Sequence, residues 1–495
     1  MSTINPHDID DPGEPLRDVE QLIATFRAAE KTRAQFRVGT EHEKIGFLRQ
    51  ADGRHLPLPF DGPRGIEAIL AAVANDPEER KTTTWTPAFD NERIIALFGS
   101  NNASITLEPG GQFELSGAPL RTIHEVHDEI STHLRLLRRH TDPLGVGFIG
   151  MGFHPTAAWD ELPLVPKARY SIMRRYMPLV GHRGLDMMKR TATVQANYDW
   201  LDEAHMVRSY RMALATSPLV AALFANAPFV EGKPSGAVSE RQRVWSDTDP
   251  ARSGFPQVVF DDGFSYAKYV DWVLSVPMYF VRRNGKHHDM AGASFATFMA
   301  KGLEVDGVRI HATLRDWTDH LTTLFPEVRL KSVLEVRSAD CGPWPRVSAL
   351  PAIYKGLLYD DQACAAAWEM MDNPAGAELS TLRSSIATEG YRAMWRGQTV
   401  LSLCQQLLDI AAAGLRRIGD KSADGDDESI YLQPLFDSVA AGKTFGEQLL
   451  DKFNGEWAGS LAPLWDAVEF WAEPASAAPT TTTTTTMAPT AAANG

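Results

Sequence analysis

The chain has 495 residues, 44% hydrophobic and 23% charged, enough to bury a sizeable core in one large domain or two to three smaller ones. Its net charge of −14 argues against general nucleic-acid or acidic-membrane binding, although metal ions or a local arginine cluster can still reverse the field for an anionic nucleotide. Three cysteines, Cys341, Cys364 and Cys404, lack CxxC spacing and are too few for a disulfide framework, so a reducing, cytoplasmic setting is expected.

Residues 1–15, MSTINPHDIDDPGEP, are acidic and lack an apolar core; they read as a tail and not as a secretory or transit signal. Residues 16–33 place Leu16, Val19, Leu22, Ile23 and Phe26 at helical spacing, which predicts an amphipathic opening helix. VGTEHEKIGF, Val38–Phe47, reads as a strand. Strand side chains alternate between faces, so Glu41 and Glu43 share one, and that face is either wet or holds a cation. A helix is predicted over 65–74. A meander follows: RIIALFG, a Ser100-Asn101-Asn102 turn, ASITLE, a Pro109-Gly110-Gly111 turn, and QFELSG, the pattern of antiparallel neighbours. Residues 119–139 predict a polar helix, and GVGFIGMGF an apolar strand. Helical periodicity returns over 202–230 and 351–370, and the chain is mostly helical from 378. The apolar run LATSPLVAALFANAPFV is interrupted by Ser217, Pro218, Asn226 and Pro228 and reads as a buried helix, not a membrane span. The Ala/Pro/Thr-rich residues 474–495 offer little to bury and are expected to be disordered. The sum is an α+β chain with an antiparallel sheet and helices segregated around it, a main domain over 16–473 with a mostly helical C-terminal third.

Three short motifs are decoys. GVGFIG fits GxGxxG, but its glycines lie inside the apolar strand and His154-Pro155 follows where a dinucleotide site needs a helix. AGKT at Ala441–Thr444 imitates a P-loop, yet Asp437 stands where the first glycine belongs. HEVH at His124–His127 lacks the i,i+4 histidine pair of zinc proteases.

The informative pattern is collective. Glu108 and Glu114 flank the Pro-Gly-Gly turn, and Gln112, Glu114 and Ser116 share a face. Thr191, Thr193, Gln195 and Asn197 alternate with small or apolar residues, and Glu335 and Arg337 point together from SVLEVRSAD. Four strand segments thus carry oxygen-rich stripes holding five glutamates and no lysine, unlike the mixed charges of an ordinary wet face. Converging on one face, they would suit Mg²⁺, which takes oxygen ligands, few of them from protein, and completes its shell with phosphates and water. Phosphoryl chemistry would then require nearby cations, for which Arg337, Arg190, Arg241, Arg243, Lys167 and Arg169 are candidates.

The ordered motifs VGTEHEKIGF, ITLEPGGQFELSG, ARYSIMRRYMPLVGHRGLDMM, TVQANYDW, FANAPFVEGKPSG, VWSDTDPARSG, FPEVRLKSVLEVRSADCGPWP and FNGEWAGS, spanning about residues 20–470, resemble the plant and proteobacterial glutamate–cysteine ligases. The resemblance implies the glutamine-synthetase-like carboxylate–amine ligase fold, an antiparallel sheet shaped as a bowl with surrounding helices. It implies ATP-dependent joining of L-glutamate to L-cysteine through γ-glutamyl phosphate, the first step of glutathione synthesis, with Mg²⁺ as cofactor. It further implies a metal shell of Glu41, Glu43, Glu108, Glu114, Gln195 and Glu335, a phosphoryl-gripping Arg337, a substrate-carboxylate Arg241, and substrate contacts from Arg169, Arg190, Asn197 and Arg243. A different acceptor amine, or a nucleotide- or metal-binding relative without catalysis, stays open at this point. The expected partners are small-molecule substrates, with no nucleic acid or membrane, and the chain is expected to be a monomer or weak homodimer.

Overall fold

The strand carrying Glu41 and Glu43, β1 (Val38–Arg49), runs for 12 residues through the middle of the computed structural model, which describes residues 13–90 and 92–471. The expected tail over residues 474–495 and all but the end of the N-terminal one lie outside the described residues. Nine further strands join β1 in one antiparallel sheet: β2 (His55–Pro57), β3 (Trp85–Asp90), β4 (Arg93–Gly99), β5 (Ser104–Leu107), β6 (Phe113–Ser116), β7 (Val146–Ile149), β8 (Thr193–Tyr198), β9 (Val328–Leu330) and β10 (Leu334–Asp340). The main path runs β9-β10-β8-β1-β6-β5-β4-β3, while the second half of β1 also pairs with β2 and β7. Segments of sequence more than two hundred residues apart are therefore neighbours across a single strand. The expected α+β class with an antiparallel sheet and surrounding helices is what the chain adopts.

Helices cover one face of this sheet. Glu203–Leu223 lies behind β10, and Ala349–Leu358 and Ile123–Thr141 lie behind β1 and β8. Buried tyrosines tie the layers together: the Tyr198 hydroxyl donates to the Pro351 carbonyl at 3.0 Å and the Tyr210 hydroxyl to the Val328 carbonyl at 2.8 Å. Pro218 and Ser217 sit inside Glu203–Leu223 without ending it, and no helix among the described residues is long and apolar enough to cross a membrane. One continuous set of buried apolar side chains runs from Leu16 to Phe470.

Local chemistry sets the element ends. The opening helix is Glu20–Arg27, shorter than the predicted 16–33: the Asp18 carboxylate accepts the Gln21 N–H at 3.1 Å, and beyond Arg27 the chain turns so that the Lys31 N–H reaches the Trp200 carbonyl. The predicted helix at 119 begins instead at Ile123, because Leu120 is held to Val38 by two backbone bonds and the Thr122/Glu125 capping box then starts the helix. Two of the GVGFIG glycines serve packing: a Cβ on Gly147 would strike the Phe47 ring, and one on Gly150 the Gly342 backbone.

Both faces of β1 are buried, so of the two alternatives for the Glu41 and Glu43 face the wet one does not hold. On the helix side the buried set includes His42 and Lys44, with Lys44 Nζ 3.1 Å from His42 Nδ1 and 5.2 Å from the Phe470 ring centre. On the opposite side lie the glutamates.

Candidate functional site

Register brings the stripes together. Across β1, Glu41 faces Gln195 on β8 and Ser116 on β6, and Glu43 faces Glu114 on β6. Glu114 in turn faces Thr106 on β5, and on the other flank Asn197 faces Gly39 and Glu335. Five strands thus present their polar stripes on one face. Glu108 reaches it from the turn after β5. Gly111 takes a positive φ of 84°, and at Gly110 any Cβ would lie 2.2 Å from the Lys189 carbonyl oxygen, so this turn needs one glycine for its bend and the other to press against the backbone behind it.

One end of the face is acidic. Glu43, Glu108 and Glu114 are 7%, 7% and 0% exposed, and like charges directly opposite each other on paired strands are unfavourable. Burial, then the charges of Glu108 and Glu114, hold the Glu43 carboxyl well above the usual carboxylate range; burial and Glu114 likewise raise Glu108. Hydrogen bonds steady the group: the Thr193 N–H donates to Glu43 Oε2 at 3.1 Å, and the Thr106 and Ser116 hydroxyls donate to Glu114. The Asn197 amide donates to Glu41 Oε1 at 2.9 Å. Glu43 and Glu108, with Gln112, Thr191, Thr193, Gln195, Arg241 and Arg337, line a cleft of about 30 Å³ whose apolar walls are Met173, Met187, Met188, Trp245 and Phe325.

The other end is basic. Glu335, fully buried, accepts from Arg329 at 2.6 and 2.9 Å and from Arg337, and is paired with Lys331 at 2.5 Å. Although burial works to raise its pKa, Arg329 first, then Lys331 and Arg337, keep Glu335 well below the usual carboxylate range. Arg337 lies between the two ends, its Nη1 donating to both Gln195 Oε1 and Glu335 Oε1. A larger cavity of about 300 Å³ opens beside this end, lined by Lys31, Arg37, Gly39, Gly117, Asn197, Trp317, Leu321, Lys331 and Val333.

Among the described residues no three carboxylate, imidazole or thiol groups converge as a closed metal shell. The six side chains expected to form one occupy a common face but are divided between the two ends, Glu335 being held by three cations. The donor chemistry nevertheless fits Mg²⁺, since these are hard oxygen atoms, mutually repelling and buried, and Mg²⁺ needs only one or two of them.

The remaining expected contacts divide. Arg241 lines the cleft, yet both of its Nη atoms donate to main-chain carbonyls, Nη1 to Ser338 at 3.1 Å and Nη2 to Arg337 at 2.9 Å. Arg169 lies over the Tyr170 ring at 5.1 Å, near enough for Glu108 to feel its charge. Arg190 does not line the cleft: it stacks on Phe153 and its Nη1 binds Asp186 and Glu231, 3.0 and 3.2 Å away. Arg243 is also outside, half-exposed and paired with Glu240 at 3.1 Å. Sequence reasoning missed Arg329, Lys331, the methionine wall and Trp245. The first had a signal: Arg329 and Glu335 flank the Lys331-Ser332-Val333 turn symmetrically, so a hairpin brings them opposite each other.

The chloroplastic glutamate–cysteine ligase of Arabidopsis thaliana is 42% identical over 457 residues, covering 92% of this chain and 83% of that protein. The chloroplastic enzyme of Brassica juncea is 42% identical over 455 residues, covering 91% and 84%. A crystal structure of glutamate–cysteine ligase from Francisella tularensis in complex with AMP shares the fold, with a TM-score of 0.51 at 12% identity over 89% of this chain and 90% of that one. The chloroplastic names overturn the cytoplasmic placement expected from the cysteines: three buried free thiols do not tell a cytosol from a plastid. The model of glutamate–cysteine ligase family 2 matches residues 37–467, more than four-fifths of the chain, and the chain belongs to that family.

Proposed function

We propose that the protein joins the γ-carboxylate of L-glutamate to the amine of L-cysteine, cleaving ATP to ADP and phosphate and giving γ-glutamylcysteine. A γ-carboxylate oxygen attacks the γ-phosphorus as the bond to ADP breaks, forming γ-glutamyl phosphate. The cysteine nitrogen then attacks the acyl carbon, phosphate leaves, and the amine gives up its proton. The observation that carries this reading is one buried sheet face with carboxylates at one end, cations at the other, and Arg337 between them.

Each part of the face has work suited to it. Glu43, Glu108 and Glu114 at the acidic end, with Glu41, would hold Mg²⁺, which when bound supplies the positive charge needed between a triphosphate and a carboxylate. Arg337 offers a planar guanidinium to the transferring phosphoryl group, a role a point charge fills less well. Arg329 and Lys331 keep Glu335 ionised and in place, so that Arg337 has a fixed counter-charge. The nucleotide suits the cavity of about 300 Å³, with Trp317, Leu321 and Val333 for the base and Lys31, Arg37 and Lys331 for the phosphates. The narrower cleft, with Arg241 and the methionine wall beside Glu43 and Glu108, suits the amino-acid end. No nucleophilic side chain is required; positioning and charge neutralisation suffice.

Phosphate release with glutamate, cysteine, ATP and Mg²⁺, each omitted in turn, tests the reading, and a panel of amines in place of cysteine tests the acceptor. Full turnover without glutamate or without a divalent cation overturns it.

A further inference from the structure

β10 does not run straight past β8. Val336 pairs with Ala196 and Ala339 with Val194, so Arg337 and Ser338 together oppose the single residue Gln195. This is a β-bulge, and bulges beside active sites re-aim a side chain. Here the bulged residue is Arg337, the cation in the middle of the site.

A bulge leaves main-chain groups without ladder partners, and three in this one are taken up from elsewhere. The Arg337 N–H donates to the Glu327 carbonyl at 3.0 Å. The Arg337 carbonyl accepts from Arg241 Nη2 at 2.9 Å and from the Thr193 hydroxyl at 3.4 Å. The Ser338 carbonyl accepts from Arg241 Nη1 at 3.1 Å and, in the shortest bond of the set, from Gln242 Nε2 at 2.7 Å. Arg241 and Gln242 are neighbours on the short helix Glu240–Trp245, whose start is capped by Ser239, and they are 3% and 1% exposed. Two adjacent side chains of one helix thus clasp two adjacent carbonyls of the bulge. Gln242 has no other visible task, for its Oε1 is buried without a partner and it does not line the cleft.

We infer that Gln242 is a positioning residue of the ligase: its amide, beside Arg241, holds the Arg337–Ser338 bulge in the shape that aims the Arg337 guanidinium into the site. This rests on Arg337 acting on the transferring phosphoryl group. A displacement of about 1 Å in such a group costs on the order of 100-fold in rate, so the clasp matters even though Gln242 touches no substrate.

The test is steady-state kinetics of Gln242→Met in the full chain, with glutamate, cysteine, ATP and Mg²⁺, against both wild type and Arg337→Lys. Methionine keeps the length and removes the donor. It also removes the unpartnered Oε1, so little stability is at stake. The expected result is a kcat lower by about 10- to 100-fold with KM values within about 3-fold and a melting temperature near that of wild type. In the Arg337→Lys background the same change should cost less than about 3-fold more, because the group it positions is already gone. Wild-type kcat in Gln242→Met, or an equal loss in both backgrounds, overturns the inference while leaving Arg337's role standing. Wild-type turnover in Arg337→Lys overturns both. Gln242→Asn, which keeps an amide one methylene too short, serves the same comparison where the methionine variant does not fold.

Discussion

Replacing Glu43 by glutamine should separate stability from activity in an unusual direction. Glu43 and Glu114 face each other on β1 and β6, 7% and 0% exposed. Opposed residues on antiparallel strands have Cβ atoms about 5 Å apart. Two full charges at about 5 Å in an effective dielectric of about 20 repel by about 3 kcal/mol. Protonation of Glu43, which burial and its neighbours favour, relieves part of that. Glutamine keeps the shape and can still accept the Thr193 N–H, now 3.1 Å from Oε2. The metal-free Glu43→Gln protein should therefore be no less stable than wild type and up to about 3 kcal/mol more so, a melting temperature higher by a few degrees. Ligation should fall by at least about 100-fold, because charge aimed at the reacting groups is lost. Thermal melts after EDTA treatment, with and without added Mg²⁺ and ATP, together with phosphate release, measure both. A melting temperature several degrees below wild type in EDTA, or near-normal turnover, would refute the argument that these carboxylates strain against each other and exist for a cation.

Other expectations are simpler. Burial holds the Glu129 carboxyl up at about 7, so the folded state keeps a proton that the unfolded chain has released. Stability from this residue is then fully present below its ordinary value of 4.5 and is lost as pH rises towards about 7. Glu129→Gln should accordingly stabilise at pH 8 and change nothing at pH 4, as read by melting temperature. Arg243→Ala should leave kcat and KM within about 2-fold of wild type, since its side chain is half-exposed and paired outside the cleft; a larger loss in a kinetic assay would return it to the site. Gly110→Ala should impair both folding and turnover, because its Cβ would lie 2.2 Å from the Lys189 carbonyl and displace the turn that carries Glu108. Normal phosphate release from that variant would show that the turn has room to move.

Period-two stripes were legible because a strand's geometry forces alternate side chains to one face, so Glu41 with Glu43, and Glu335 with Arg337, could be paired from spacing alone. The helical regions were legible for the same kind of reason. Their ends were not: the shortened opening helix depends on the Lys31 N–H meeting the Trp200 carbonyl, and the late start at Ile123 on Leu120 bonding to Val38, both contacts between segments far apart in the chain. Arginines were the least legible of all. A guanidinium on a long side chain reaches in many directions, and nothing local distinguishes Arg337, which enters the site, from Arg190, which turns to Asp186 and Glu231.

What residue order alone settled here is the inventory: an antiparallel α+β chain, oxygen-rich stripes on separate strands, and motifs specific enough to mark the ligase family. Which stripes meet, and what lies between them, was decided by the fold. Strand order sets β8 between β1 and β10, and one extra residue in β10 leaves Arg337 and Ser338 together opposite Gln195. Packing then buries the polar face of β1 as thoroughly as its core face. Alternation is a property of one strand and can be read along it; register, bulges and burial belong to pairs of segments, and only their folding against each other brings them into being.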